Sequence, residues 1–306
     1  MRNTFADTFY EAGKRDKRLA IVVADISPAG SIEKFRKEFP DRFVNTGVAE
    51  QIMIGMCAGM ALRGLRPFAY TIATFTLYRP FEFVRDDLCY QNLPVTIVGI
   101  GGGVTYSTLG GTHHAQEDVA IACAIPNMNV IAPCDPAETR LATEWCVTQE
   151  RGPVYLRLGK AGEPVLTAGA ADPWAFGKLR YLSKGGDVCV LSYGPVMKLA
   201  AEVAEWFKGR GKSVSLASCH TIKPLDEAAV VRALQSHKHV VVIEEMVPHG
   251  GLGSRVKALA WDAGAKCRLD AFSLEDEFHH VYGGHGDVLA AHGLTRERIV
   301  ARLEAA

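Results

Sequence analysis

The sequence predicts an α/β protein of two doubly wound domains with mainly parallel sheets. Three observations carry that prediction. In the first half, short apolar runs alternate with longer amphipathic ones: LAIVVAD (19–25) then SIEKFRKEFP, PFAYTIAT (67–74) then FEFVRDDLCYQN, LPVTIVGI (93–100) then AQEDVAIACAI, and MNVIAPC (128–134) then PAETRLATEWCVTQ. Strand followed by helix, repeated, is the pattern of a parallel sheet covered on both faces. After PVYLRLGKAGEP the pattern breaks into TAGAADPWAFGKLRYLSKGG, rich in Gly, Ala and Lys. It then restarts with DVCVLSYG (187–194), the helix MKLAAEVAEWFKGRG, SVSLASC, the helix DEAAVVRALQSH, HVVVIEE, GLGSRVKALAWDAG and CRLDAFS. The expected division is a first domain over 1–165, a linker over 166–185 and a second domain over 186–306.

At 306 residues and 48% hydrophobic content, the chain is long enough for two cores. Lys+Arg and Asp+Glu each total 34, and no block of like charge offers a footprint for nucleic acid or anionic lipid. The eight cysteines form no CxxC pair, which suits buried thiols in a reducing compartment and a cytoplasmic protein. The amino terminus lacks the apolar core of a signal peptide, and no run of about eighteen apolar residues could span a bilayer. No short-period repeat is present, which excludes a solenoid.

In open parallel sheets, ligands gather where strands end. Four loops leave such ends here: ADISPAG, NTGVAEQ, IATFTLYRP and GIGGGVTYSTLGGTHH. Glu50 opens a helix that is apolar almost all round. One reading is a helix N-terminal charge contributing about 0.3–1 kcal/mol. The other is a buried functional acid, since a carboxylate among apolar and small residues such as Gly55 and Gly59 needs a partner or a proton. Phe75, Tyr78, Phe81 and Phe83 follow a strand, as core or as a cofactor shelf. GIGGGV lacks the last small residue of GxGxxG and the downstream acid, so a dinucleotide fold is not expected. Neither LGGTHHAQED nor FHHVYGGHGD matches a zinc spacing, and no metal site is expected in this chain.

Taken together, GVAEQ, TFTLYRPF, GGTHHAQED, IPNMNVIAPCDPAE and GPVYLRLGK resemble, in order and spacing, the pyrimidine-binding domain of transketolase-like thiamine diphosphate enzymes. SYGPVMKLAAEVA, HTIKPLD and EEMVPHGGLGS resemble their C-terminal domain. The resemblance implies that Glu50 hydrogen-bonds the cofactor's pyrimidine nitrogen opposite the amino group, favouring the imino tautomer that takes the proton from the thiazolium carbon. It implies further that Phe75, Tyr78 and Phe81 flank the aminopyrimidine. His113 would face the reacting centre, with His114 beside it where many relatives carry Gln. Lys160, with Arg157 near it, would meet a sugar phosphate.

The Gly-Asp-Gly motif and following Asn that hold the diphosphate and its metal in such enzymes are missing from this sequence. The resemblance therefore implies a split transketolase: a C-terminal subunit that binds the pyrimidine end, active only with an N-terminal subunit carrying the diphosphate and a Mg2+-like ion. The implied assembly is α2β2, with self-association through the pyrimidine domain. The reaction implied is transfer of a two-carbon ketol unit between ketose and aldose, both phosphorylated. Leu109 departs from the family pattern, standing near the place of an aspartate that contacts a donor hydroxyl. Three alternatives stay open: a 2-oxo acid dehydrogenase beta subunit, a 1-deoxyxylulose-5-phosphate synthase-like acyloin enzyme, and a catalytically silent regulatory subunit.

Overall fold

The computed structural model describes residues 1–26, 30–150 and 152–305. Among the described residues, twelve strands form two sheets: β1 (Leu19–Val23), β2 (Phe43–Asn45), β3 (Arg66–Ile72), β4 (Thr96–Ile100), β5 (Asn129–Ile131), β6 (Val154–Leu158), β7 (Arg180–Ser183), β8 (Val188–Ser192), β9 (Val214–Ser218), β10 (Thr221–Lys223), β11 (His239–Ile243) and β12 (Arg268–Phe272). The first sheet runs β10-β5-β6-β4-β3-β1-β2 and the second β12-β11-β8-β9-β7. Both are parallel except at one edge each, where β10 pairs antiparallel with β5 and β7 antiparallel with β9. The doubly wound α/β expectation is met.

The sheets form where the apolar runs lie. β1, β4, β6, β8 and β9 are buried at every position. Such strands have no solvent face, so they read as continuous apolar runs rather than alternating ones.

The structure differs from the expected division at two points. Residues 180–183, placed in the linker, form an edge strand of the second sheet. Residues 221–223, from the second half, close the edge of the first sheet. Each domain is thus completed by chain lying outside its main run, and one apolar cluster joins Val130 and Tyr155 of the first sheet to Leu191 and Ala217 of the second.

The Gly-rich loop after β4 also joins the domains. A methyl group at Gly102 would lie 2.5 Å from Arg157 Nε, and one at Gly103 would lie 2.3 Å from Glu245 Oε1. Gly103 also sits at φ +70°. These glycines admit a close approach of side chains from a neighbouring strand and from the other domain. Val104 N–H donates to Glu245 Oε1 at 2.8 Å, and His285 Nε2 lies 2.8 Å from the same oxygen. Burial pushes the Glu245 carboxyl pKa up, but the His285 charge and hydrogen bond, Arg157 and the Val104 N–H outweigh it, and the net shift is downward. Among the described residues, no helix is long and apolar enough to cross a membrane.

Candidate active site

β3, β4 and β6 are neighbours in the first sheet, and Ile72, Ile100 and Leu158 lie in register at their carboxyl ends. The segments leaving these ends carry Phe75 and Arg79, the loop 101–113, and Lys160 respectively. Glu50 joins them from helix Glu50–Leu62, where it is 2% exposed. The helix is capped by Ala49 without any side-chain bond. Instead of capping, Glu50 accepts from Arg79 Nη1 at 2.8 Å on each oxygen. Its position serves an ion pair, not the helix end.

From that pair a continuous strip of contacts runs across the strand ends. The Arg79 guanidinium lies 4.7 Å from the Phe75 ring centroid. Phe75 meets His113 edge to face at 5.1 Å. His113 stands 6.4 Å from Tyr106, and Lys160 Nζ is 5.0 Å from the Tyr106 ring. The structure therefore brings Glu50, Phe75, His113 and Lys160 onto one strip. Two members were missed in the sequence. Arg79 stood inside TFTLYRPF, where a cation two residues after a leucine in an aromatic run could have signalled a partner for the acid. Tyr106 lay in a Gly-rich loop with no pattern to mark it.

His113 ends the short turn Gly111–His113, and its Nδ1 lies 2.9 Å from Thr112 Oγ1. Burial lowers its pKa below the ordinary imidazole value. His114 is buried, burial lowers its pKa as well, and its Nε2 has no hydrogen-bond partner among the described residues. Tyr78 turns to Glu117: its hydroxyl donates to Oε2 at 2.7 Å and accepts from the backbone N–H at 3.3 Å. Burial, with Asp118 and Glu117 close by, pushes the Tyr78 hydroxyl pKa far up. Phe81 is 39% exposed at the start of a short helical turn, and Leu109 is half exposed on the turn Ser107–Leu109.

Arg157 departs from the expectation of a substrate contact. It is fully buried, its Nε donates to Asp118 Oδ2 at 2.8 Å, and its Nη2 donates to the carbonyls of Glu245 at 3.1 Å and Ala115 at 3.4 Å. Tyr155 donates to the same Asp118 oxygen at 2.7 Å. The guanidinium knits the two domains together and does not face solvent.

The residues present suit one end of a cofactor. A buried acceptor, Glu50, stands beside a partly buried ring, Phe75, and an imidazole, His113. Of the six residues in the strip only Glu50 is an acid, so the strip carries no carboxylate pair of the kind that holds a diphosphate's metal.

Residues 1–162 match the transketolase pyrimidine binding domain and residues 177–299 the transketolase C-terminal domain. The chain is 32% identical over 298 residues to an apulose-4-phosphate transketolase subunit of Phocaeicola vulgatus, covering 97% of this chain and 94% of that one. It is 36% identical over 254 residues to the 6-deoxy-6-sulfo-D-fructose transketolase subunit SqwH of a Clostridium species, covering 83% and 78%. A solved split-gene transketolase, an inactive beta4 tetramer, superposes with TM-score 0.87 at 30% identity, covering 100% of this chain and 97% of that one. A chain of this architecture, with both domains matched, belongs to the transketolase family. Within that family, whose members depend on thiamine diphosphate, it is the C-terminal subunit of a split transketolase, a transferase that works with an N-terminal partner subunit.

Proposed function

We propose that this subunit supplies the pyrimidine half of a thiamine diphosphate site, and that the reconstituted enzyme moves a two-carbon ketol unit from a phosphorylated ketose to a phosphorylated aldose. The strip from Glu50 through Phe75 to His113 is the observation that supports this reading most. Thiamine diphosphate, when bound, supplies a carbon nucleophile that no side chain can offer. Glu50 is proposed to hold the pyrimidine ring nitrogen, because a buried carboxylate bonds more strongly where water is excluded. Arg79, whose side chain is 43% exposed, can swing aside to admit the ring.

Phe75 is assigned to one face of the aminopyrimidine. Tyr78 backs that wall through its bond to Glu117, and Phe81 offers a ring from the exposed side. His113, held neutral by burial, is placed to accept or return a proton at a substrate oxygen. His114, buried next to it in the chain, is assigned to the same end of the site. Lys160, exposed at the far end of the strip, gives a point charge for a substrate phosphate.

The diphosphate and a Mg2+-like ion are assigned to the partner subunit. Self-association is assigned to the surface around helix Glu50–Leu62, where Ile52 near its start, Leu62 at its end and Val48 just before it are 60–70% exposed, since exposed large apolar groups favour a protein neighbour. An α2β2 assembly follows. The eight unpaired cysteines fit a reducing, cytoplasmic setting. A second reading, an acyloin synthase using pyruvate, draws support from Leu109, which offers no acceptor to a donor hydroxyl.

The experiment mixes the chain with its N-terminal partner, thiamine diphosphate and Mg2+, then screens ketose phosphates and pyruvate by mass. Two-carbon transfer from ketose phosphates supports the first reading. Turnover of pyruvate alone replaces it with the second, and no turnover with any donor removes both.

A further inference from the structure

The loop that carries Tyr106 and His113 closes on itself. Gly103 N–H donates to the Ala115 carbonyl at 3.1 Å, and Ala115 N–H donates to the Gly103 carbonyl at 2.8 Å. Residues 104–114 therefore hang from a neck of two hydrogen bonds. The second domain holds that neck on both sides. Val104 N–H donates to Glu245 Oε1 at 2.8 Å where the loop leaves the neck, and Val247 N–H donates to the Gln116 carbonyl at 3.0 Å just beyond its return. Arg157 Nη2 ties the two together by donating to the carbonyls of Ala115 and Glu245. Further along, Phe278 of the second domain lies near Gly111, which opens the turn ending at His113.

Glu245 is set apart from its neighbour by where it points. Glu244 serves its own domain, accepting from the N–H groups of Leu252 and Gly253 at 2.8 Å each. Glu245 is 1% exposed and turns to the other domain, and its Oε2 has no hydrogen-bond partner among the described residues. A buried carboxylate is tolerated where it is paired and hydrogen-bonded, and Oε1 meets both conditions: it takes the Val104 N–H and lies 2.8 Å from His285 Nε2. Burial pulls the His285 pKa down, but the Glu245 charge and hydrogen bond outweigh it, and the net shift is upward. The approach also requires Gly103, because a methyl there would lie 2.3 Å from the same oxygen.

We infer that Glu245, seated by His285, is a positioning residue for His113, so that the second domain sets where the loop presents its imidazole. The inference rests on the proton-transfer role proposed for His113. Among the described residues the His113 ring is hydrogen-bonded only to its neighbour Thr112, so its place follows that of the loop. A misplacement of about 1 Å at a reacting group costs about 10²-fold in rate, which makes the hold on the neck matter for turnover.

The test reconstitutes the enzyme with its N-terminal subunit, thiamine diphosphate and Mg2+, and measures kcat and KM with the donor that turns over. Glu245→Ala should lower kcat by about 10²-fold, with KM and proton exchange at the thiazolium carbon unchanged, because Glu50 stands on another element. In a His113→Ala background the same change should cost less than about 3-fold, since both act through one imidazole. Glu245→Gln, whose amide oxygen still accepts from Val104 N–H, should restore most of the loss. Should Glu245→Ala fail to fold, Glu245→Met, which keeps the bulk without the acceptor, takes its place. An equal loss of kcat in both backgrounds would show a general effect on folding and overturn the inference, as would a wild-type kcat in Glu245→Ala. NMR of the full chain with labelled histidines reads the geometry itself: Glu245→Ala should move the ring signals of His113 and leave those of buried His220 in place. If His113→Ala alone leaves kcat unchanged, the proton-transfer reading falls by itself, and these signals decide the positioning. Displaced His113 signals then uphold it and unmoved ones overturn it.

Discussion

Replacing Asp118 by Asn probes the buried contact between Arg157 and Asp118, and so the claim that Arg157 belongs to the scaffold. The two side chains are 1% and 0% exposed, with Nε to Oδ2 at 2.8 Å. At an effective dielectric constant of about 20, unit charges about 4 Å apart attract by about 4 kcal/mol. Breaking a buried pair by removing one partner costs about 3–5 kcal/mol, because the charge left behind keeps its desolvation penalty. The two routes agree. Asp118→Asn should therefore lower unfolding stability by about 3–5 kcal/mol, read from denaturant midpoints at constant slope. Removing both charges, in Asp118→Leu with Arg157→Met, should recover part of that loss, since no charge is left stranded, while the buried Tyr155 hydroxyl and Glu245 carbonyl lose a partner. A loss below about 1 kcal/mol in Asp118→Asn would refute the reasoning. So would an Arg157→Met chain of normal stability whose complex shows a raised KM for phosphorylated substrates.

Three further outcomes are expected. Lys160→Ala should raise KM for phosphorylated substrates and leave unphosphorylated ones unchanged; an equal effect on both removes the phosphate assignment. His113→Ala should lower kcat in the reconstituted enzyme by about 10²–10⁴-fold with the melting temperature unchanged, as loss of a positioned acid or base does. A drop in melting temperature with normal kcat would make it structural. His220 is fully buried, with a pKa pushed down to about 3 by burial and then by Arg180. As the pH falls below about 6.5 the unfolded chain takes up a proton that the folded chain refuses, so stability is lost in that window, by up to about 1.4 kcal/mol per pH unit. The difference in stability between wild type and His220→Asn should shrink accordingly from pH 6.5 to 4.5, and a pH-independent difference contradicts it.

Strands β1, β4 and β8 were legible because LAIVV, TIVGI and VCVLS form short, mostly apolar runs that only a doubly covered sheet buries throughout. The edge strands β7, RYLS, and β10, TIK, were not. They are short and mixed, and their pairing is set by distant chain rather than by local pattern. The Gly-rich loop showed that backbone had to approach something closely, but not that Arg157 and Glu245 are what it approaches.

The site was legible in part for the same reason. Glu50, Phe75 and His113 stood in motifs, and the structure sets them along one strip. Arg157 was paired with Lys160 by closeness in sequence. A strand buried on both faces sends Arg157 inward whichever way it points, while Lys160 lies beyond the strand end. Arg79 went unnoticed because an arginine among aromatics gives no hint of an acid 29 residues earlier.

The most direct measurement of the central claim is hydrogen–deuterium exchange at the thiazolium carbon of thiamine diphosphate, followed by NMR in the complex with the N-terminal subunit. With Glu50 intact, exchange should be fast; with Glu50→Gln it should fall to the rate of the free cofactor while the complex stays assembled. Exchange that persists at the wild-type rate in Glu50→Gln would contradict the role assigned to this buried acid.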